Sequence, residues 1–377
     1  MTRAMAVEPD RPQRIASLAP LDDVLARIDA LVKPVPQYTS ELPPALGRTL
    51  AEDVVVAAAV PAAARALRDG WAVASDLTTD AGGYAPAPLP AALRVDVGEP
   101  LPPDTDAVAL LDAVAIRGGL AQALAPVAPG EGVLSAGADV AQGATLLPAG
   151  RRLDRVHIAL LTAAGVEGVR VRAPRLRLVG ARSQGDAVID AALACIADAI
   201  GALGGVAAGA ERGDVAGALA DAAADAVVVV GGTGSGRNDS TVRTLASVGE
   251  LRAHGIALIP GETTAFGTVG LRPVLALPGR LDAALAAWHV LGQPMLARLA
   301  GNVEPPRLRR AKLTHKVSST VGLAELVPVR CDGASVTPIA SGYVPLSALA
   351  QANGWILIGP DSEGYPEASE VMIRPWP

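Results

Sequence analysis

Aromatic residues are scarce in this chain of 377 residues: Phe, Trp and Tyr make up 2% of it, although 50% of its residues are hydrophobic. The core must therefore be built from Ala, Val, Leu and Ile. A formal net charge of -6 gives no general attraction to a phosphate backbone, and few rings are available to stack on bases. Composition therefore argues against nucleic acid as a partner.

Cysteine and long apolar runs are also nearly absent. The 2 cysteines lie far apart and no Cys/His ligand spacing occurs, so neither a disulfide framework nor a zinc site is indicated, and we expect a protein of the reducing cytoplasm. The longest apolar stretch, residues 54–64, contains Pro61 and is well short of the ~20 residues that span a bilayer, so no membrane association is expected. The residues before Leu21 lack the features of a secretory signal and are predicted to form a disordered tail.

Hydrophobic periodicity and the positions of Pro and Gly divide the chain. Residues 61–129, which are dense in Pro and Gly, favour a small β-rich domain. Helices are predicted at residues 21–32, 153–165, 187–203, 215–224 and 281–299. The alternation of the later helices with a buried strand at residues 226–230 is typical of an α/β domain with a parallel sheet. After Pro305 and Pro306, short strands at residues 325–329 and 355–358 predict a final β domain.

The strand at residues 226–230 runs directly into a glycine-rich turn, Gly231-Gly232-Thr233-Gly234-Ser235-Gly236, and then into a helix predicted to begin near Ser240. Backbone N–H groups of such a turn and the helix N-terminus point at one spot, and glycine lets the backbone approach a phosphate closely. This pattern predicts an anion-binding loop in which Asp239 would hold a cation and a water. The alternative is a tight turn in which Asp239 is only the helix N-cap.

Several separated segments resemble, in the same order, motifs of the molybdopterin molybdenumtransferase family (MoeA-like proteins), whose eukaryotic relative is the E domain of gephyrin. These segments are Leu46-Gly47-Arg48, Asp69-Gly70-Trp71-Ala72-Val73, Pro129-Gly130-Glu131, residues 231–239, Leu277-Pro278-Gly279 and Gln351-Ala352-Asn353-Gly354-Trp355. The resemblance covers the chain from about residue 20 to its end. The chain is therefore identified as a divergent member of this family.

The resemblance implies a multidomain α/β plus β fold: a MogA-like α/β domain with a parallel-type sheet, a β-rich insertion domain and a C-terminal β-barrel. The implied domains are residues 15–60 with 130–172 (a discontinuous first domain), 61–129, 173–303 and 304–377. The resemblance also implies an elongated homodimer, in which the pterin bound by the third domain faces the second domain of the partner.

In this family, adenylylated molybdopterin and molybdate give molybdenum cofactor and AMP, with magnesium. By resemblance the catalytic acids are Asp69, which stands in the Asp-Gly-Tyr-Ala motif with Trp71 for Tyr, and Asp239. The residues expected to bind the pterin are Gly231, Gly232, Thr233, Gly234, Ser235, Gly236, Arg182, Ser183, Arg237, Pro260, Gly261, Pro278, Gly279 and Arg280.

Four segments depart from the family motifs, one of them at Val97, which stands where the family has Thr before Gly-Ala-Pro. Ala181-Arg182-Ser183-Gln184-Gly185 replaces Thr-Gly-Asp-Glu-Leu, Ile259-Pro260-Gly261-Glu262 replaces Lys-Pro-Gly-Lys, and Arg280-Leu281 replaces Asn-Pro. The change at residues 181–185 removes both acids that would help to bind magnesium, which argues against that metal and leaves Asp239 as the candidate ligand. Arginine has a planar fork suited to phosphate but does not ligate magnesium.

The charges on these loops also change. Arg182, Arg237 and Arg280 against Asp239 and Glu262 leave one net positive charge on loops that are expected to meet at one crevice. The sequence therefore favours an anion site that works without metal. The alternative is that the three arginines are solvated residues on drifting loops.

Two functions of different classes follow from these observations. The chain is either a molybdenumtransferase that uses Asp69 and Asp239 beside a rearranged anion site, or a non-catalytic protein that holds molybdopterin or finished cofactor and passes it to a molybdoenzyme or another cofactor-biosynthesis protein. A third interpretation starts from Gly231-Gly232-Thr233-Gly234, which resembles a loop of the related adenylyltransferase. It is weaker, because the insertion and barrel domains belong to the transferase.

Overall fold

A six-stranded sheet forms the centre of the α/β region. In the computed structural model, which describes residues 13–90, 92–182 and 185–376, its strands lie in the order Val206–Arg212, Arg175–Gly180, Ala226–Val230, Arg272–Leu277, Ala265–Val269 and Glu250–His254. The first four strands are parallel, as predicted. The last two are antiparallel, so the sheet is mixed. This edge was not predicted, because the Ala265–Val269 strand is almost wholly buried and so lacks the alternation of a half-exposed strand.

Both faces of this sheet are covered by helices, which is why the strand Ala226–Val230 is buried along its whole length. Val228 packs into a core with helix Ala187–Ala202 on one face. Val227 packs with helices Val215–Ala220 and Thr241–Val248 on the other face. Because successive side chains of a strand point to opposite faces of the sheet, this strand contributes to two separate cores.

The remaining helices include those predicted at residues 21–32, 153–165 and 281–299, whereas the short helices Leu42–Ala45 and Leu346–Leu349 were not predicted. The bounds of all these helices are Leu21–Leu31, Leu42–Ala45, Arg155–Ala163, Leu281–Ala287, Gln293–Ala300 and Leu346–Leu349, with 3-10 turns at Ser75–Thr78 and Leu111–Ala113. The helix predicted over residues 281–299 is interrupted by a π-helical turn, Trp288–Gly292. Helix Val215–Ala220 also ends four residues earlier than predicted.

The C-terminal region contains a closed barrel of five strands, which confirms the predicted β-barrel. The strands are Arg309–Leu313, Ala324–Asp332, Ser335–Pro338, Gly354–Ile358 and Glu370–Pro375. The barrel closes because Ala324–Asp332 pairs with both Ser335–Pro338 and Gly354–Ile358, and the other two strands complete the ring. Two short pairs lie beside it: Val317–Ser318 with Gly364–Tyr365, and Leu258–Ile259 with the start of Ala324–Asp332.

The chain divides into two compact units. Of the described residues, one unit contains 13–52, Ala149–Ile158 and those from Gly168 to Trp376, and the other contains those of Asp53–Pro148 and Ala159–Glu167. The first unit also holds a small sheet of Tyr38–Glu41, Gly168–Arg172 and Thr49–Leu50. The second unit is built from short strands. Those within residues 61–129, where a β-rich domain was predicted, are Arg65–Ala66, Gly70–Val73, Ala87–Leu89, Leu93–Val95, Ala107–Ala109, Val114–Arg117 and Leu120–Ala123. Those outside that range are Val54–Val55, Val133–Leu134 and Thr145–Leu147.

The segment of residues 13–20 is packed against the α/β region, so the prediction of a disordered tail up to Leu21 is wrong for these residues. Gln13 is 6% exposed, and the Ala19 amide donates to the Gly255 carbonyl at 2.9 Å. Ile15 lies where a side chain at Gly255 would have to be, so the glycine makes room for the segment. Residues 1–12, the rest of the predicted tail, lie outside the described residues.

Among the helices in the described part of the chain, none combines the length and the apolar character that crossing a membrane requires.

Candidate functional site

A cavity of about 400 Å³ lies where the parallel strands of the central sheet end. Three of these strands, Arg175–Gly180, Ala226–Val230 and Arg272–Leu277, place their carboxyl ends side by side, and that edge is where open α/β sheets bind ligands. The cavity is lined by Arg182, Asp186, Ile189, Gly231, Gly232, Thr233, Gly234, Asp239, Thr263, Pro278, Gly279 and Arg280.

The cavity brings together most, but not all, of the residues predicted from sequence. The predicted residues that line it are Arg182, Asp239, Arg280, Pro278, Gly279 and the first four residues of the glycine-rich loop. The predicted residues outside the lining set are Ser235, Gly236, Arg237, Pro260 and Gly261. Ser183 lies outside the described residues. Asp69 belongs to the second unit, where its Oδ1 accepts a hydrogen bond from the Val97 amide at 2.8 Å.

Three lining residues were not singled out from sequence: Asp186, Ile189 and Thr263. Asp186 carried a usable signal, because it directly precedes the predicted helix and caps it through the amides of Val188 and Ile189. Thr263 carried none. It reaches the loop from the side, where its hydroxyl lies 2.9 Å from that of Thr233.

The glycine-rich loop takes a backbone path that only glycine allows at its first two positions. Gly231 and Gly232 have φ values of 96° and 70°, in the left-handed region that disfavours a Cβ atom. A Cβ on Gly232 would lie 2.4 Å from the Thr241 hydroxyl oxygen. That hydroxyl donates to the Gly231 carbonyl at 2.9 Å, so the loop is drawn against the start of helix Thr241–Val248.

Asp239 does not serve as the helix N-cap, the structural alternative considered for it. The N-cap residue is Ser240, whose side chain makes no cap hydrogen bond. Asp239 instead accepts a hydrogen bond from the Gly236 amide at 3.0 Å through Oδ2. Its carboxylate therefore closes the second half of the loop while it lines the cavity.

The two cavity arginines are each paired with an acid. The Arg280 guanidinium donates to Asp282 through Nε at 3.1 Å and Nη2 at 2.6 Å, and this hydrogen bonding raises the pKa of Arg280 above its usual value. Arg280 also lies over the Tyr343 ring, 5.0 Å from its centre. Arg182 is more exposed and reaches Asp186 at 3.2 Å.

These pairs change the charge balance that the sequence predicted. The sum that left one positive charge omitted Asp186 and Asp282, which the fold brings to the two arginines. Arg237, the third arginine of that sum, is exposed on the turn beyond the cavity. Among the lining residues, Arg182 and Arg280 are balanced by Asp186 and Asp239. The net charge of the lining residues therefore does not by itself favour an anion, and an anion site here would depend on directed N–H groups.

The residues present do not fit a magnesium ion. Asp186 uses both oxygens, since Oδ1 accepts from the Val188 amide at 3.1 Å and Oδ2 from Arg182 at 3.2 Å. Asp239 has one oxygen on the Gly236 amide. Within the described ranges there is no group of three or more His, Cys, Asp and Glu residues that could hold a metal. Asp239, the candidate metal ligand, therefore belongs to no such group within these ranges.

A second cavity, of about 360 Å³, lies within the other unit. It contains none of the residues predicted to act on a ligand, and its lining residues are Val73, Ala74, Asp76, Leu77, Leu89, Pro90, Ala92 and Asp104.

Most of the chain matches models of known protein families. Residues 19–165 match "MoeA N-terminal region (domain I and II)", residues 187–298 match "Probable molybdopterin binding domain" and residues 310–376 match "MoeA C-terminal region (domain IV)". The middle match contains the glycine-rich loop and Arg280.

Individual relatives agree with this result. The molybdopterin molybdenumtransferase of Haemophilus influenzae is 28% identical over 331 residues, which cover 77% of this chain and 80% of that protein. The molybdopterin molybdenumtransferase 2 of Mycobacterium tuberculosis is 27% identical, with 93% of this chain and 97% of that protein covered. The crystal structure of a molybdopterin biosynthesis MoeA protein from Pyrococcus horikoshii is 28% identical, covers 95% of this chain and 99% of its own, and superposes with a TM-score of 0.79. The chain therefore belongs to the MoeA family of molybdenum cofactor biosynthesis proteins.

Proposed function

We propose that this protein is a molybdopterin molybdenumtransferase that binds adenylylated molybdopterin in the cavity at Gly231–Gly234 and transfers molybdate to it, with release of AMP. One observation carries the proposal: a glycine-rich loop and two arginines, Arg182 and Arg280, converge at the carboxyl edge of the parallel strands. Both are features that bind phosphate groups, through backbone N–H groups and through guanidinium forks.

The cavity would bind the pterin phosphates without magnesium. Arg182 and Arg280 supply guanidinium donors in place of the metal, and the loop amides supply further directed donors. Asp239 lies at the same wall and is the proposed carboxylate of the reaction on this unit. Asp69 is proposed, from its match to the family motif, as the carboxylate that the partner subunit contributes in a homodimer.

The first test is binding of molybdopterin to the purified protein with excess chelator and, separately, with magnesium. We expect the same dissociation constant in both conditions. Binding that requires magnesium would show that the arginines do not replace the metal. The second test supplies adenylylated molybdopterin and molybdate and measures release of AMP and reconstitution of a cofactor-free molybdoenzyme. Asp239→Asn keeps an oxygen for the Gly236 amide but removes the charge, and should abolish AMP release while binding is retained.

A second candidate is a non-catalytic carrier of molybdopterin or finished cofactor. It is favoured by one observation: both carboxylates that line the cavity already accept hydrogen bonds from the loops around them. A strain that lacks its own molybdenumtransferase separates the two candidates. Rescue of a molybdoenzyme activity in that strain supports the enzyme. Metal-independent binding without rescue and without AMP release supports the carrier.

A further inference from the structure

The carbonyl groups of the glycine-rich loop are held by protein donors at four successive positions. The Gly231 carbonyl accepts from the Thr241 hydroxyl at 2.9 Å, and the Gly232 carbonyl accepts from the Thr241 amide at 3.1 Å. The Thr233 carbonyl lies 2.9 Å from His254 Nε2. Gln13 Nε2 donates to the carbonyls of Gly232 and Gly234, at 3.0 and 2.9 Å.

This arrangement determines where the loop N–H groups point. The C=O and N–H of one peptide unit lie in a plane and point in opposite directions. Because the carbonyls of residues 232, 233 and 234 face Gln13 and His254, the N–H groups of Thr233, Gly234 and Ser235 face away from them. Neither Gln13 nor His254 lines the cavity. Across the described ranges, none of these three N–H groups donates to a protein acceptor.

Among the residues described above as donors to the loop carbonyls, Gln13 is the one that lies far from the loop in sequence. Its amide nitrogen bridges two carbonyls, and its Oε1 accepts from the Arg243 amide at 2.9 Å in the first turn of helix Thr241–Val248. The side chain is 6% exposed. The segment that carries it is anchored independently, because Ala19 pairs with Ile256 and Ile15 packs over Gly255. A glutamine supplies two donors and an acceptor at once, which this position uses.

We infer that Gln13 is a positioning residue for phosphate recognition: it holds the carbonyls of Gly232 and Gly234 so that the N–H groups of the loop are presented to the phosphate of the pterin. The inference rests on the proposed function, since it takes the cavity at Gly231–Gly234 as the pterin site. It adds a role for the N-terminal segment, which places one side chain behind the loop without lining the cavity itself.

The test compares molybdopterin with its dephosphorylated form, in the full chain and with the metal-free buffer used above. Gln13→Ala removes the donors and the acceptor. Gln13→Glu keeps the shape and the acceptor for the Arg243 amide but places a carboxylate oxygen against two carbonyl oxygens. Ser17→Ala is the matched control, because Ser17 is an exposed polar residue of the same segment.

We expect Gln13→Ala to weaken the binding of molybdopterin about tenfold, which corresponds to the loss of two hydrogen bonds that hold the loop. Gln13→Glu should weaken it at least as much. Binding of the dephosphorylated pterin should change less than about twofold, because the loop N–H groups are then not used. Ser17→Ala should match the wild type for both ligands.

The possible failures are distinguishable. If the wild type binds neither form, the proposed function is wrong and the inference falls with it. If the wild type binds molybdopterin and the Gln13 variants bind it equally well, the cavity stands as the site but Gln13 does not position the loop. Equal losses for both forms of the pterin would show a general structural role, which also overturns the inference.

Discussion

Arg280 makes more contacts at the cavity than the other two arginines considered for phosphate binding. Two of its nitrogens contact Asp282, whose side chain is 4% exposed, and Tyr343 lies under its guanidinium plane. The side chains of Arg280 and Arg182 are similarly exposed, at 57% and 63%, but Arg182 contacts its acid through one nitrogen. Arg237 is exposed beyond the lining set. A side chain that is already fixed loses less conformational entropy when a ligand binds, so Arg280 should contribute most to affinity.

Arg280→Ala should weaken the binding of molybdopterin by about 1.5 to 3 kcal/mol, the usual range for a hydrogen bond to a charged group. Arg280→Lys keeps the charge but loses the planar fork, and should fall between the wild type and the alanine variant. Arg237→Ala is the comparison variant and should change affinity less than about threefold. Equilibrium dialysis of the three variants measures this. A larger loss for Arg237→Ala than for Arg280→Ala would contradict the geometry described for the cavity.

His289 gives the protein a defined sensitivity to acid. Its ring is 4% exposed and packs against Trp355 and Trp376, with centroid distances of 5.7 and 5.1 Å. Burial disfavours the charged imidazolium and lowers the pKa of His289 from 6.5 to about 4, although a hydrogen bond with Gln293 opposes the shift. The histidine is therefore neutral in the folded protein near neutral pH.

The sign of the pH dependence follows from this depressed pKa. Above about pH 6.5 the residue is neutral in both states and its contribution to stability is complete. As the pH falls, the unfolded chain takes up the proton first and the folded protein only near pH 4. We expect a loss of ~3 kcal/mol of unfolding free energy between pH 6.5 and 4 from this residue. Urea unfolding at several pH values across this range measures the effect. The free energy of unfolding should change less with pH in His289→Gln than in the wild type, whereas His315→Gln, at an exposed position, should leave this pH dependence unchanged. A pH dependence in His289→Gln equal to that of the wild type would contradict the attribution of this acid sensitivity to His289.

At the scale of an element, the π-helical turn Trp288–Gly292 places a glycine directly against the Trp288 ring. Trp288 is 1% exposed, and its ring lies against Gly292 so closely that a Cβ there would be 2.2 Å from Trp288 Cε3. Because residue 292 is a glycine and has no side chain, the Trp288 indole has room in the core. Periodicity alone predicted one continuous helix, because the apolar spacing on either side of the turn is helical.

Gly292→Ala should therefore destabilise the protein by about 1 to 3 kcal/mol, since the added methyl group overpacks a filled core. Gly201→Ala is a matched control in helix Ala187–Ala202, where no atom lies within 4 Å of the added Cβ. That change should be neutral or stabilise the protein by up to about 1 kcal/mol, because alanine favours helix. Urea denaturation of both variants measures the difference. Equal stabilities for the two would show that the ring yields to the methyl group.

For the whole molecule, we predict a homodimer, as the family resemblance implies. The proposed chemistry needs Asp69, and that residue belongs to a different compact unit from the glycine-rich loop. In a dimer of the implied kind, the partner's second domain supplies this acid. Sedimentation velocity at micromolar concentration should give a species of twice the 37.9 kDa mass of the chain. A monomer at that concentration would remove the proposed source of the second carboxylate.

Much of the architecture could be predicted from local patterns. The buried run at Ala226–Val230 indicated a covered strand, the glycines after it indicated a tight turn, and short alternating segments indicated a final β domain, which the family resemblance implied to be a barrel. These features depend on backbone geometry and side-chain period, both of which are set by neighbouring residues. The strand order also predicted that the loops at the carboxyl edge of the sheet would meet, and this holds only in part: Arg182, Asp239 and Arg280 line one cavity, whereas Arg237, Pro260 and Gly261 do not.

Side-chain partners were decided by the tertiary structure. Asp282 lies two positions from Arg280, yet the pair depends on the helix start that turns both side chains to the same place. Gln13 reaches the Gly232 carbonyl across 219 positions of sequence, in a segment whose composition predicted a disordered tail. Periodicity and composition describe what a residue does near its own position in the chain. Whether a polar group finds a partner depends on which distant surfaces the packed core brings within hydrogen-bond distance.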